Sequence, residues 1–502
     1  MPVRVDLRHT VGRDEQCRDD LCHCGAPCVG WSVGPGAVCQ TRDVPAWFGR
    51  RWGRRREPVA ATAQRGDHAG QACGGRGAEP DACTETLTQV KRVIQSAGAD
   101  IVGIQEPERN TSRIAGLLGW YASDRAHVMS RFPIIDPPNS DGLYVFVEVA
   151  PGRVVAVANT HLPSDPYGPY LVRDGGSRAD VLKLERDTRL QAAKDAVEPL
   201  PNLAEHGIPV FLTGDFNSPS HLDWTPAVAK ARADVPFSVD WPASHALADA
   251  GMVDTYREAH SDPVKDPGFT WTPGGPEEDA HEVFDRIDWV LRAGPGHTVA
   301  SRVVGEGDVS PYPTDHRGVV STVDVRPAVP PTMAAPAQRN VDLGDPIVVT
   351  YHGTDAVTLR DSSGRVVARQ QTPRGNGTVR FATKALSKGR YEVNGAPVWL
   401  YPRDEPAQVR TTRKSYRAGQ PITVDFANAP GMGLDWISVF KQGDGNDAYL
   451  VYAYTHSEIE GRLTIGADGI GDWPLPPGRY VVRLLPDDGL RSVAESKPFT
   501  VS

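Results

Sequence analysis

Apolar residues recur along this chain in short runs, and the polar residues that close those runs are of unusual kinds. Asp100-Ile-Val-Gly-Ile104, Val154-Val-Ala-Val-Ala158, Ile208-Pro-Val-Phe-Leu212 and Ile287-Asp-Trp-Val-Leu291 read as β-strands by length and β-branched content. Leu87, Val90, Val93 and Ile94 have helical spacing instead, ending at Gly98. The pattern further predicts a short helix over 113–118 and strands over 127–130, 144–149, 154–159, 210–213, 286–291 and 319–325. Helices are predicted over 180–197 and 245–260, and the Pro- and Gly-rich stretch 163–178 reads as a loop.

After residue 325 the pattern changes. Residues 326–337, with Arg326-Pro-Ala-Val-Pro-Pro-Thr-Met-Ala-Ala-Pro336, read as a linker. The chain then repeats itself. Gly344-Asp-Pro-Ile-Val-Val-Thr-Tyr351 echoes Gly419-Gln-Pro-Ile-Thr-Val-Asp-Phe426, and Gly389-Arg-Tyr-Glu-Val393 echoes Gly478-Arg-Tyr-Val-Val482. Alternation at Ile422/Val424/Phe426 and Tyr480/Val482/Leu484 gives each strand one apolar face. Residues 338–404 and 405–502 therefore read as two β-sandwich modules.

A chain of 502 residues holds several domains. Its net charge of -9 argues against a strongly basic, non-specific nucleic-acid binder, and no run approaches the roughly 18 apolar residues of a membrane span. All seven cysteines (Cys17, Cys22, Cys24, Cys28, Cys39, Cys73 and Cys83) lie in the first 83 residues, with twelve arginines and no lysine. That stretch lacks a sustained period of 2 or 3.6. Three readings compete: a small metal or disulfide module, a disordered Arg-rich tail, and a translation in the wrong frame of GC-rich DNA. The first fits poorly, because Cys22-His23-Cys24 lacks zinc-site spacing and seven is odd. The third is favoured, so residues 1–83 are expected to be irregular.

The chemistry sits at the strand ends. Ile104-Gln105-Glu106, Asn159-Thr160-His161-Leu162, Gly214-Asp215-Phe216-Asn217, Asp285-Arg286-Ile287-Asp288-Trp289 and Thr314-Asp315-His316 follow one another in chain order. Each alone is weak. Together they put carboxylates, an amide and imidazoles where strands of one sheet rim converge, which suits a divalent cation, an attacking water and a phosphate. Gly214 permits close backbone approach, while Asp215 and Asn217 point to one side at i, i+2. Tyr167, Tyr170, Arg173, Arg178 and Lys183 read as a solvated loop and helix face balanced by Asp174, Asp180 and Glu185. Trp271 and Trp289 read as core.

That ordered set resembles the endonuclease/exonuclease/phosphatase (deoxyribonuclease-like) family, which includes nucleases, sphingomyelinases and inositol-polyphosphate phosphatases. The resemblance covers about 84–325 and includes Met129-Ser130-Arg131-Phe132-Pro133-Ile134. It implies a four-layer α/β sandwich, two mixed β-sheets flanked by helices, ahead of the two all-β modules. The second module, with Asn428-Ala-Pro-Gly431 and Asp435-Trp436-Ile437, resembles immunoglobulin-like modules of secreted bacterial phosphoesterases. Carried over, Glu106 is the metal carboxylate and Asp315 lies beside the metal, which is Mg²⁺ with Mn²⁺ or Ca²⁺ as alternatives. Asp215 orients or activates the water and Asn217 holds it or a phosphoryl oxygen. His316 is the general base or an electrostatic partner, and His161 donates to a phosphate oxygen. Asp288 is assigned to orient His316, and Asp285 to partner His161. Family members open with a strand ending in a metal-binding Asn. Val3-Arg-Val-Asp-Leu7 lacks the Asn and lies far upstream, so that slot is expected to be empty and the chain as written weakened.

The implied activity is hydrolysis of a phosphoester, as a secreted, monomeric phosphodiesterase or phosphatase acting on a soluble or cell-surface substrate. A nuclease or sphingomyelinase is the alternative, with nucleic acid less favoured by the acidic balance. An inactive domain serving surface binding is the competing class. Translating the neighbouring frames upstream of Thr84 tests the frame reading: one should encode an apolar signal segment and a β-strand, and the absence of both from either frame refutes it.

Overall fold

A computed structural model describes residues 2–6, 37–41 and 80–502, except 108, 277, 278, 280, 468 and 488. The first domain is built on two sheets. Its strands are β1 (Pro2–Asp6), β2 (Ala37–Thr41), β3 (Ile101–Gly103), β4 (Tyr121–Ser123), β5 (Val128–Ser130), β6 (Ile134–Ile135), β7 (Tyr144–Ala150), β8 (Arg153–His161), β9 (Val210–Asp215), β10 (Val253–Asp254), β11 (Asp288–Ala293), β12 (Gly296–Val304) and β13 (Gly318–Val325). One sheet runs β12-β13-β2-β1-β3-β5-β4 and the other β10-β11-β9-β8-β7-β6. Ile101, Val128, Val319 and Val323 of the first face Val145, Val155, Phe211 and Val290 of the second in one buried core.

Helices cover the outer faces. Helix α1 (Pro80–Ala97) and α2 (Thr111–Leu118) pack Val90, Ile94 and Ile114 on the first sheet. The remaining helices of the domain are α3 (Gly168–Arg173), α4 (Arg178–Thr188), α5 (Leu190–Val197), α6 (Leu200–Glu205), α7 (Pro226–Ala231), α8 (Pro242–Asp249) and α9 (Thr255–Ala259). Of these, α5, α6 and α8 bury Ala193, Leu200 and Leu247 on the second sheet. The result is a helix–sheet–sheet–helix sandwich, which buries its strands on both faces, as it does β9 at every position.

Five details depart from the pattern-based reading. Residues 163–178, read as a loop, contain helix α3. Residues 1–83 are not irregular throughout: β1 pairs antiparallel with β3 and parallel with β13, so the slot expected to be empty is filled. The rest of the cysteine-rich stretch lies outside the described residues. The single helix expected over 180–197 is two, parted at Arg189, whose side chain turns inward. The helix expected over 245–260 is likewise two, separated by β10. Met333–Pro336, read as linker, is a buried strand paired with Ile347–His352.

The two distal units are each a pair of stacked sheets, three strands on five and three on seven. Their cores centre on Val349, Leu359 and Val393, and on Val424, Val439 and Val482. The sequence echo is also structural. Ile347–His352 and Ile422–Ala427 are the middle strands of the two small sheets. Tyr391 and Tyr480 each donate their hydroxyl to the carbonyl four residues upstream, at 2.9 and 2.6 Å.

The first domain buries a network of paired charge. Arg286 is inaccessible and holds Asp223 at 2.8 Å and Asp254 at 2.7 Å. Arg257 meets the same Asp223 at 2.5 Å. Removing one member strands the others without solvent. Arg286→Ala is therefore expected to cost about 3–5 kcal/mol of stability, measured by urea unfolding; a loss under about 1 kcal/mol would show the network to be dispensable.

Candidate active site

Pairing register assembles the rim. His161 closes β8 opposite Asp215 of β9, and Asp215 lies opposite Asp288, the first residue of β11. Three functional side chains thus stand side by side because three strands end at one level. Gly214 is required there: a Cβ would sit 2.7 Å from the Thr160 carbonyl oxygen.

The fourth contribution comes from the other sheet. Asn159 of β8 donates from Nδ2 to the Ile104 carbonyl at 2.9 Å. Its Oδ1 accepts from Gln105 Nε2 at 2.5 Å and from Thr213 Oγ1 at 2.8 Å. Gly103 lets the sheets meet, since its Cβ would fall 2.1 Å from Thr213 Oγ1. Pinned this way, β3 delivers Glu106 to the opposite sheet, with Oε1 3.6 Å from His161 Nε2. Asp215 Oδ2 is 3.7 Å from the same nitrogen and 3.8 Å from His316 Nδ1. His316 Nδ1 lies 3.0 Å from Asp288 Oδ2. Asp215, Asp288 and His316 are all buried, with ligand atoms within 4.8 Å of one another, a grouping that can hold a metal ion.

Asn217 joins them in a left-handed backbone conformation, φ 47°. Its N–H donates to Asp215 Oδ1 at 2.8 Å and its Nδ2 to the Leu162 carbonyl at 2.9 Å. Glu106, His161, Asp215, Asn217, Asp288 and His316 are therefore brought together. Asp315, next to His316 in the chain, is exposed, and its carbonyl accepts from Thr272 Oγ1 at 2.7 Å. Asp285 does not partner His161. It is buried beneath the site, accepting from Trp224 Nε1 at 2.8 Å and from the Tyr167 hydroxyl at 3.3 Å.

Three further residues matter that sequence reading set aside. Trp271 is half-buried and not core; its ring lies 4.8 Å from that of His316, and its backbone bridges to His316 and Asp285. Glu185 and Arg189, an i, i+4 pair on a helix read as solvated, are both inaccessible. Arg189 donates to the Ser164 and Pro166 carbonyls at 2.7 and 2.9 Å, fixing the segment after His161. Trp289 is core as read, stacked 4.3 Å from Phe216. Tyr170 neighbours Trp271 and carries Arg173 over its ring, and burial with the Glu282 carboxylate keeps its phenol protonated.

A helix-flanked double sheet with carboxylates and imidazoles on a shared rim is the arrangement that the sequence resemblance implied. Residues 65–316, half of the chain, match the Endonuclease/Exonuclease/phosphatase family, and the chain belongs to it. Members of this family are hydrolases that act on phosphoester bonds. The uncharacterized protein F14F9.5 of Caenorhabditis elegans is 29% identical over 230 residues, 41% of this chain and 73% of that protein. Among solved structures, an endonuclease/exonuclease/phosphatase from Beutenbergia cavernae is 17% identical, covering 82% of this chain and 94% of that one, with TM-score 0.31. An AP endonuclease from Archaeoglobus fulgidus is 15% identical, covering 57% and 99%, with TM-score 0.36.

Burial raises the Asp285 carboxyl from its ordinary 3.8 to about 7. Between those values the folded protein keeps a proton that the unfolded chain releases, so this group's contribution to stability falls as pH rises through the interval. Asp285→Asn removes that titration. Its stability relative to the parent protein is expected to rise from pH 5 to pH 8, as read from urea midpoints; a difference independent of pH would contradict this.

Proposed function

We propose that this protein is a magnesium-dependent phosphodiesterase or phosphatase in which water attacks phosphorus directly. The observation that carries the reading is the convergence of Glu106, His161, Asp215, Asn217, Asp288 and His316 from both sheets on one rim. Three carboxylates and two imidazoles are a donor set that fits a hard divalent cation. Glu106 would hold it with Asp315 beside it, and Mn²⁺ or Ca²⁺ are substitutes. Bound there, the ion supplies charge stabilisation to the phosphoryl and leaving oxygens.

The chain's own groups do the rest. Asp288 orients the His316 imidazole through Nδ1, which leaves Nε2 to exchange a proton. Asp215, held by the Asn217 N–H, accepts from the attacking water and aims its lone pair at phosphorus. His161 donates from Nε2 to a non-bridging oxygen, a bond that strengthens as charge builds in the transition state. Asn217 sets the Asp215 carboxylate through its N–H and spends one amide proton on Leu162, which leaves the other for the water or a phosphoryl oxygen.

The wall of Trp271, Tyr170 and Arg173 beside His316 favours a second reading for the substrate: a flat aromatic group, such as a nucleobase or aryl ester, next to the phosphate. That brings nuclease-type substrates back despite the acidic balance. Helices long and apolar enough to cross a membrane are absent among the described residues. The paired tyrosine-to-carbonyl bonds in the distal units support an immunoglobulin-like identity for them, and with it an exported bacterial enzyme.

Hydrolysis of bis(p-nitrophenyl) phosphate tests the proposal. Turnover should require a divalent ion and stop with EDTA. His316→Ala and Asp215→Asn should each lower kcat by at least about 100-fold while the protein stays folded. Metal-independent turnover, or full activity in either variant, would overturn it.

A further inference from the structure

The last β-sandwich reaches into the first domain with a buried carboxylate. Asp487 is almost inaccessible, 1% exposed, and so are its neighbours Asp435 and His127. One oxygen of Asp487, Oδ2, accepts from the backbone N–H of Arg109, and the other contacts Nε2 of His127. Both partners belong to segments that frame Glu106. Arg109 lies three residues beyond it in the loop after β3. The His127 carbonyl accepts from Ile104 N at 2.9 Å, two residues before it.

This loop has an uncommon backbone. Glu106, Arg109 and His127 have φ of 49°, 67° and 48°, left-handed values that non-glycine residues keep only when their surroundings hold them. Asp487 is itself fixed from behind. Its N–H donates to Asp435 Oδ1 at 3.1 Å, and Asp435 Oδ2 accepts from Gly431 N at 2.7 Å and Met432 N at 3.0 Å. Close seating of the domains depends on Gly433, whose Cβ would fall 2.5 Å from the Arg125 carbonyl oxygen.

We propose that Asp487 is a positioning residue of the hydrolase: from the distal module it clamps the Glu106 loop and the His127 turn together and sets where the Glu106 carboxylate points. The inference rests on the reading of Glu106 as the metal carboxylate. The distal sandwich is thus part of the metal site's support and not only an attachment domain.

The full-length protein tests this, with hydrogen exchange of residues 104–110, Mn²⁺ affinity by calorimetry, and thermal unfolding measured side by side. Asp487→Ala should accelerate exchange at Arg109 and weaken Mn²⁺ binding by about 10-fold or more, together with a lower metal-free melting temperature from the lost contacts to His127 and the Arg109 N–H. Asp487→Asn can still accept from Arg109 N and should recover much of the affinity. Gly433→Ala, which wedges the interface without touching the carboxylate, should shift both readouts the same way, and it carries the test if Asp487→Ala does not fold. Parental Mn²⁺ affinity and a protected Arg109 amide in Asp487→Ala and Gly433→Ala would overturn the inference. If the parent protein binds no Mn²⁺, the metal-site reading fails instead, and the exchange data alone decide whether Asp487 clamps the loop.

Discussion

The site depends on one side chain that fastens two sheets together. Packed sheets ordinarily stand about 10 Å apart, a gap too wide for their backbones to share a polar cluster. At the rim of this domain Asn159 closes it, donating to Ile104 of one sheet while accepting from Thr213 of its own. Gly103 removes the side chain that would keep them apart. Without that contact the Glu106 loop and the His161–Asp215–Asp288 row would belong to separate surfaces. The functional groups are therefore positioned by register within one sheet and by a single amide between sheets.

Behind the rim lies a layer of buried charge whose pairing gives the loops fixed paths. Arg189 holds the segment after His161 from below, and Arg286 with Arg257 ties β10 and the start of β11 to Asp223. Such pairs add little net stability against an apolar core, but they tolerate few alternative arrangements. Rigid support beneath flexible-looking loops is what a site requires when its groups must stay within fractions of an ångström of working geometry.

Much of this was legible in the chain because the chemistry ends apolar runs. Asp215 and His161 follow strands that announce themselves by β-branched content, and the Glu106, Asp288 and His316 motifs sit at similar boundaries. What stayed hidden depends on partners distant in sequence. An i, i+4 Glu185–Arg189 pair looks the same on a wet helix as in a dry interior. Asn159 inside an apolar strand looks like a tolerated polar residue. Trp271 belongs to no regular strand, only to isolated bridges, so its place beside His316 had no periodic signal. β12 escaped notice because its exposure pattern breaks at the bulge between Thr298 and Ala300. Asp285 and Asp288 lie three residues apart, and only the fold shows that one lies beneath the site while the other reaches His316.

The contact between Trp271 and His316 has an optical consequence. An indole's emission depends on what lies against its ring. At 4.8 Å between ring centres, Trp271 is placed to report on the surroundings of His316 without an added label.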